Sequence, residues 1–123
     1  MYTQQTGKAA EATARGYLKK QGYKILETNF RCPFGEIDII AKDKKTLCFV
    51  EVKSRHSSAF GAPFEAVSRA KQVKMARTAS FYFDQHQLSD PDMRFDVVSI
   101  ALQANGQNPQ IELIKNAFDF IAA

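Results

Sequence analysis

The chain is 123 residues long, which suits one domain that buries a hydrophobic core without disulfide or metal staples. Hydrophobic residues make up 45% and charged residues 24%, a composition that excludes a disordered tail. The net charge of +4, from 17 lysines and arginines against 13 aspartates and glutamates, favours an anionic partner without requiring one. We therefore expect one folded domain over residues 1–123 with a single active centre.

Neither a secretory leader nor a membrane span is expected. The N-terminus lacks a basic start followed by an apolar run, and no stretch approaches the roughly 18 apolar residues of a spanning helix. Cys32 and Cys48 have neither CxxC spacing nor a nearby histidine cluster, so zinc and a disulfide framework are not indicated. These features predict a cytoplasmic protein with reduced cysteines.

The chain begins with a helical pattern over residues 4–21. Ala10 and Ala14 share a face with Leu18 and let the backbone lie close to a sheet, and Gly22 ends the helix. The further predicted elements are strands over residues 23–30, 36–42 and 46–54, a helix over 63–85 with Pro63 in its first turn, a strand over 94–102, a turn over 105–109 and a short strand over 111–114. This order predicts an α/β domain with a mixed central sheet flanked by helices.

The second and third predicted strands form a hairpin whose polar loop is centred between residues 44 and 45. In that register Asp38 faces Glu51. The same register sets Glu36 opposite Lys53. Because side chains alternate along a strand, Asp38, Glu51 and Lys53 share one face of the hairpin.

Three ionisable groups on one patch favour a cation site. Two carboxylates about 5 Å apart repel by roughly 3 kcal/mol at an effective dielectric near 20, so a positive charge must lie between them. Lys53 compensates in part, and Mg²⁺ or Mn²⁺, which prefer hard oxygen ligands, would do so more fully. Such an ion activates water and polarises a phosphate while the lysine orients the nucleophile, which is chemistry for phosphodiester hydrolysis. A solvated cross-strand ion-pair cluster explains the same charges, and spacing does not separate the two interpretations.

The motif of Asp38 followed, after a hairpin, by Glu51-Val52-Lys53 resembles the signature of the PD-(D/E)XK nuclease superfamily. More closely, the chain resembles the small bacterial YraN-type proteins, an endonuclease family related to archaeal Holliday junction resolvases. The segments that carry this resemblance are residues 35–38, 49–55, 63–67 and 94–98, and the likeness extends from Gly7 to Phe118. It implies a restriction-endonuclease-like αβββαβ core and a Mg²⁺- or Mn²⁺-dependent endodeoxyribonuclease.

The resemblance also implies roles for individual residues. Asp38 and Glu51 match the metal-binding acids, and Lys53 matches the catalytic lysine. The main-chain carbonyl of Val52 is a further implied ligand. Glu11 matches an acid of the first helix that completes the metal shell in resolvase-like members.

Two positions depart from the family pattern. Ile37 stands where a proline often precedes the first acid, which leaves the geometry plausible. Ala10 stands where a glycine often precedes the helix glutamate, which weakens the assignment of Glu11. From the residues alone, Glu11 is typical of a solvent-facing helix charge.

Secondary candidates surround this set. Lys71 lies at helical spacing between Val67 and Met75, so it contacts phosphate, contacts the metal site or covers apolar surface. Arg55 follows the catalytic strand and is a candidate for phosphate binding, while Glu36 is a candidate outer acid. Surface cations that supply either DNA contacts or solubility are Lys42, Lys44, Lys45, Arg69, Lys71, Lys74 and Arg77.

The remaining polar candidates have structural interpretations. His56 and His86 lack partners at ligand spacing and are expected to be structural or exposed. Arg94 and Asp96 share a strand face and are expected to bridge.

The sequence thus predicts a metal-dependent DNA endonuclease, a monomer or homodimer, that acts on branched, single-stranded or duplex DNA. A non-catalytic nucleic-acid or protein interaction module on the same fold is the alternative, and an RNA-processing enzyme is a third reading.

Overall fold

The computed structural model describes residues 4–56, 67–102 and 108–120, with only the backbone described at residues 4–6 and 56. These residues form a single α/β domain with two helices and one mixed sheet. The elements are α1 (Gln4–Lys20), β1 (Lys24–Cys32), β2 (Gly35–Asp43), β3 (Thr46–His56), α2 (Arg69–Gln85), β4 (Met93–Leu102) and β5 (Gln110–Phe118). The predicted order of a helix, three strands, a helix and further strands is confirmed.

The five strands lie side by side in the order in which they occur along the chain. Neighbouring strands are antiparallel except for β3 and β4, which run parallel from the pair Leu47 and Met93 to the pair His56 and Leu102. A parallel pair requires a long crossover, and the connection containing α2 provides it. β3 is therefore the central strand, held by an antiparallel neighbour on one side and a parallel one on the other.

The two helices cover opposite faces of the sheet. On one face α1 packs its small residues Ala10 and Ala14 against apolar side chains that include Val50 of β3. On the other face α2 packs Met75 among aromatic residues that include Phe49. β3 is thus buried from both sides, which is why its sequence reads as a nearly continuous apolar run.

The predicted continuous helix over residues 63–85 is wrong at its N-terminus. Residues 57–66, including the predicted start at Pro63, lie outside the described residues, while Val67 and Ser68 are not helical. Ser68 is the N-cap, with φ −68° and ψ 162°, and its hydroxyl accepts a 3.1 Å hydrogen bond from the amide of Lys71. The helix begins at Arg69 because this side chain satisfies an amide that the first turn leaves free.

Two other boundaries differ from the sequence-based expectation. Cys32 pairs with Gly35, so the turn between β1 and β2 is only Pro33-Phe34 and both strands reach further than predicted. Gly35 has φ +154°, where side-chain-bearing residues are rarely found, and a Cβ there would lie 3.3 Å from the Thr78 hydroxyl.

The C-terminal strand is longer than the four-residue segment expected, since β5 has nine residues. Most of the turn predicted over residues 105–109 falls within residues 103–107, outside the described residues. Both cysteines are free thiols, and burial raises the pKa of Cys48 to about 12. Of the helices that the structure describes, none is long and apolar enough to cross a membrane.

Candidate active site

β2 and β3 pair in the predicted register from their two-residue turn as far as Ile39 and Val50. Beyond that pair β2 continues along β1 while β3 continues along β4, so the two strands divide. Asp38 lies at the division, and its Oδ2 accepts a 2.8 Å hydrogen bond from the backbone amide of Val52. The amide of Val52 therefore donates to a side-chain oxygen of β2, where a regular antiparallel pair would use a backbone carbonyl.

The division changes the pairs expected at this end of the hairpin. The predicted opposition of Glu36 and Lys53 is wrong, because Glu36 faces Arg31 of β1 and binds it at 3.1 Å. Asp38 and Glu51 are not ladder partners either. Their carboxyl groups nevertheless lie close together, because the charge of Asp38 raises the pKa of Glu51.

Glu51 is the least exposed acid of this group, at 6%. Its Oε2 lies 3.7 Å from the Nζ of Lys71, which α2 brings to the site. Its Oε1 is buried and has no hydrogen-bond partner within the described part of the chain. Buried polar atoms normally have partners, so an unpaired carboxylate oxygen beside a second carboxyl marks a place for a cation.

Burial holds both carboxyl groups toward their protonated forms. Burial, followed by the charge of Asp38, raises the pKa of Glu51 to about 7, while Lys71 and Lys53 act in the opposite direction. Burial also raises the pKa of Asp38, against the lowering effect of the amide of Val52. Near neutral pH this pair would readily exchange a proton for a bound cation.

The sequence-predicted lysines also reach this site. Lys53 is half-buried and close enough for its charge to lower the pKa of Glu51. Lys71 makes the contact with Glu51, so it does not merely cover apolar surface. The structure therefore brings together Asp38, Glu51, Lys53 and Lys71, with the backbone of Val52 at their centre.

Glu11 is not brought into this group. It lies partly buried on α1, and no cluster of three or more Asp, Glu, His or Cys side chains suited to a metal ion occurs in the ranges that the structure describes. The implied role of Glu11 therefore stays a prediction. A pair of carboxylates still fits Mg²⁺ or Mn²⁺, because these ions retain several waters and take further ligands from a phosphate.

Other candidates lie elsewhere. Arg55 lines a separate cleft of about 290 Å³ with Ser99, and its phosphate contact stays a prediction. His86 stacks on Tyr82 with ring centroids 4.0 Å apart, and its Nδ1 lies 3.0 Å from the Tyr82 carbonyl oxygen, in agreement with a structural role. The side chain of His56 lies outside the described residues.

The expected bridge between Arg94 and Asp96 is confirmed at 2.9 Å and belongs to a larger network. Asp96 is fully buried and also accepts hydrogen bonds from the Tyr23 hydroxyl at 2.8 Å and the Asn116 amide at 2.9 Å. Arg94 reaches on to Asp43 at 2.7 Å. Sequence reasoning missed Tyr23 and Asn116, because nothing local indicates that three distant segments converge.

Sequence reasoning also missed Phe34, which it treated only as part of a turn. The ring is 47% exposed at the tip of the β1–β2 hairpin, next to α2. An aromatic residue in a two-residue turn, where small polar residues are usual, was the available signal.

The fold and the acidic pair together define the class of protein. A helix, three antiparallel strands, a second helix and a strand parallel to the third form a restriction-endonuclease-like core, and Asp38 and Glu51 lie where the β2–β3 hairpin divides.

Comparison with known proteins identifies the family. The model of "Uncharacterised protein family UPF0102" matches residues 10–100, and the chain belongs to this YraN-type family. A UPF0102 protein of Syntrophus aciditrophicus is 49% identical over 93% of this chain and 88% of its own length. Another, from Caldicellulosiruptor saccharolyticus, is 43% identical over 96% of this chain and all of its own length.

Proposed function

We propose that this protein is a Mg²⁺- or Mn²⁺-dependent endonuclease that hydrolyses phosphodiester bonds in DNA and selects its substrate by DNA structure. One observation carries the proposal. The Glu51 carboxylate is 6% exposed, meets the Asp38 carboxyl group and has a buried oxygen without a hydrogen-bond partner among the described residues. The family resemblance supplies the reaction.

The donor set assigns a role to each group. Asp38, Glu51 and the carbonyl of Val52 would hold the ion, with its remaining positions left to water and the scissile phosphate. A bound Mg²⁺ or Mn²⁺ supplies Lewis-acid polarisation of the phosphate and a lowered pKa for water. Lys53 orients the nucleophile and stabilises the charge that develops on the phosphate. Lys71 neutralises part of the charge of Glu51.

The proposal is tested on labelled branched, single-stranded and duplex DNA, and on RNA, with Mn²⁺, with Mg²⁺ and with EDTA. We expect cleavage of DNA that requires the metal and falls by at least about 100-fold in Lys53→Ala, a loss of the size seen when one charge-stabilising group is removed. Lys20→Ala is the matched control, because Lys20 is exposed at the end of α1 and is not a candidate DNA contact.

Metal binding separates the roles of the acids from that of the lysine. Calorimetry with Mn²⁺ should show binding in the wild type and in Lys53→Ala, and loss of binding in Glu51→Gln. Asp38→Asn is preferred to alanine, since its amide oxygen keeps an acceptor for the amide of Val52. Metal-independent DNA binding that Glu51→Gln leaves unchanged, without cleavage, would instead indicate an interaction module. Preferential cleavage of RNA would change the substrate class.

A further inference from the structure

The β1–β2 hairpin carries an aromatic ring at a solvent-facing position next to α2. Phe34 is 47% exposed, and its ring meets Phe81 of α2 edge-on, with centroids 6.4 Å apart. Phe81 is in turn supported by Phe30, at 6.3 Å. The exposed ring therefore has a fixed position, with aromatic neighbours behind it.

This ring forms one wall of a cleft of about 370 Å³. The lining combines two aromatic rings, a cation, a hydroxyl and a carboxylate, from Phe34, Phe81, Arg77, Ser80 and Asp84. An aromatic wall with a few hydrogen-bonding groups suits a flat heteroaromatic ring. Such a ring would stack on the aromatic wall and form hydrogen bonds with the polar groups.

One stripe of α2 connects the cleft to the acidic pair. Lys71 contacts Glu51 at 3.7 Å, and Phe81, ten positions later, contacts Phe34. Between them, the Cβ of Lys74 lies 3.6 Å from where a Cβ would stand at Gly35, so the helix follows the hairpin closely. Ten helical residues span roughly 15 Å. That is about four nucleotides at the stacked spacing near 3.4 Å, and fewer for an extended strand.

The surface along this stripe is mainly basic. Lys74 and Arg77 are exposed on α2, and Arg31 on the hairpin has an exposed side chain that is paired with Glu36. Cations spaced between an aromatic cleft and a phosphate-cleaving centre match the charge of a single nucleic-acid strand.

We propose that the Phe34–Phe81 cleft binds an unpaired DNA base within about four nucleotides of the scissile phosphate. The base stacks on Phe34, the backbone passes Lys74 and Arg77, and Asp84 accepts a hydrogen bond from an exocyclic amine of adenine, cytosine or guanine. The identity of the substrate rests on the proposed function. The inference deepens that function by making unpaired DNA the preferred substrate.

The first test measures binding of labelled single-stranded DNA by fluorescence anisotropy, with Ca²⁺ in place of Mg²⁺ and intact product confirmed on a gel. Phe34→Ala should weaken binding about ten-fold, as the loss of one stacked base does, while Phe34→Tyr restores it. Phe120→Ala removes a ring of similar exposure, 40%, from a different cleft and should leave binding unchanged.

The second test removes the base instead of the ring, and its first measurement uses the wild type alone. In oligonucleotides of about six nucleotides, an abasic site is placed at each position in turn. An abasic site at one position should lower the affinity of the wild type about ten-fold. The same abasic site should not lower the affinity of Phe34→Ala any further. Equal losses at all positions, or the same extra loss in both proteins, would overturn the stacking site.

The two proposals fail separately. Metal-dependent cleavage without a position-specific abasic effect rejects the base site and keeps the nuclease. An abasic effect that is coupled to Phe34, in a protein that never cleaves, keeps the base site and rejects the nuclease. If a peptide but no oligonucleotide bound the cleft, a protein ligand would replace the base and the inference would be wrong.

Discussion

Glu51 combines burial, a neighbouring carboxyl group and an unpaired oxygen within the described chain. Each of these features makes the ionised form costly in the folded apo protein. The unfolded chain carries none of this penalty, so protonation of Glu51 is linked to stability. For packing alone, glutamine would fill the same space without the cost of a buried charge, whereas a cation ligand must carry that charge.

The apo protein should therefore lose stability as pH rises. The folded pKa of Glu51, about 7, lies above its ordinary 4.5, so the folded state binds more protons between these values. The free energy of unfolding from this group should fall by roughly 3 kcal/mol between about pH 4.5 and 7, and the pKa of about 7 already includes the opposing effect of Lys71. Urea denaturation of wild type and Glu51→Gln should give similar stabilities near pH 4 and a more stable variant at pH 8.

Metal addition reverses this order. Millimolar Mn²⁺ at pH 8 should stabilise the wild type and not Glu51→Gln, because only the wild type has the full ligand pair. Glu112→Gln, at an exposed position on β5, is the control and should follow the wild type. If Glu51→Gln were less stable than the wild type at pH 8 without metal, the proposed cost of ionising Glu51 in the folded protein would be contradicted.

At the scale of elements, the hairpin register was predictable and its division was not. A short even loop and strict alternation fix which residues of β2 and β3 face each other, and the pairs from Ile39 and Val50 to the turn agree. The strands divide because β2 stays with β1 while β3 stays with β4. The parallel partner of β3 lies about 45 residues away in sequence, where local patterns carry no information.

The start of α2 was mispredicted for a different reason. Proline favours the φ angle of a first helical residue, so the sequence-based prediction started the helix at Pro63. Ser68, however, has extended φ and ψ angles and a hydroxyl that accepts from the amide of Lys71, so the helix begins at Arg69. The same hydrogen bond holds the backbone of Lys71, whose side chain contacts Glu51.

Removing this cap should weaken the helix by a predictable amount. Ser68→Ala should lower the free energy of unfolding by about 1 kcal/mol, and Ser68→Asp should retain most of it, because a carboxylate also accepts from the first-turn amides. Urea denaturation measures both. Ser89→Ala, in the exposed loop after α2, is the matched control and should be neutral. If Ser68→Ala and Ser89→Ala changed the free energy of unfolding equally, the Ser68 hydroxyl would not be a stabilising cap of this helix.

Across the whole molecule, the sheet separates two polar centres. Glu51 and Lys71 lie on the face that α2 covers, whereas Asp96 lies on the α1 face with Tyr23. Asp96 also accepts from the amide of Asn116, at the irregularity between β4 and β5. The Asp96 centre has its hydrogen bonds satisfied within the protein, and Glu51 does not. This contrast separates a structural ion-pair network from a site built to take a cation.

Asp96→Ala should therefore affect stability far more than metal binding. It leaves Arg94 partly buried beside a vacated position and removes an acceptor from both Tyr23 and Asn116, so the loss should be about 3–5 kcal/mol. Tyr23→Phe removes a single hydroxyl donor and should lose only about 1 kcal/mol. Urea denaturation gives both values, and Mn²⁺ titration at low temperature should show affinities within about three-fold of wild type, because the two centres lie on opposite faces of the sheet. A loss of metal affinity in folded Asp96→Ala would instead indicate that the Asp96 network and the Glu51 site act as one unit.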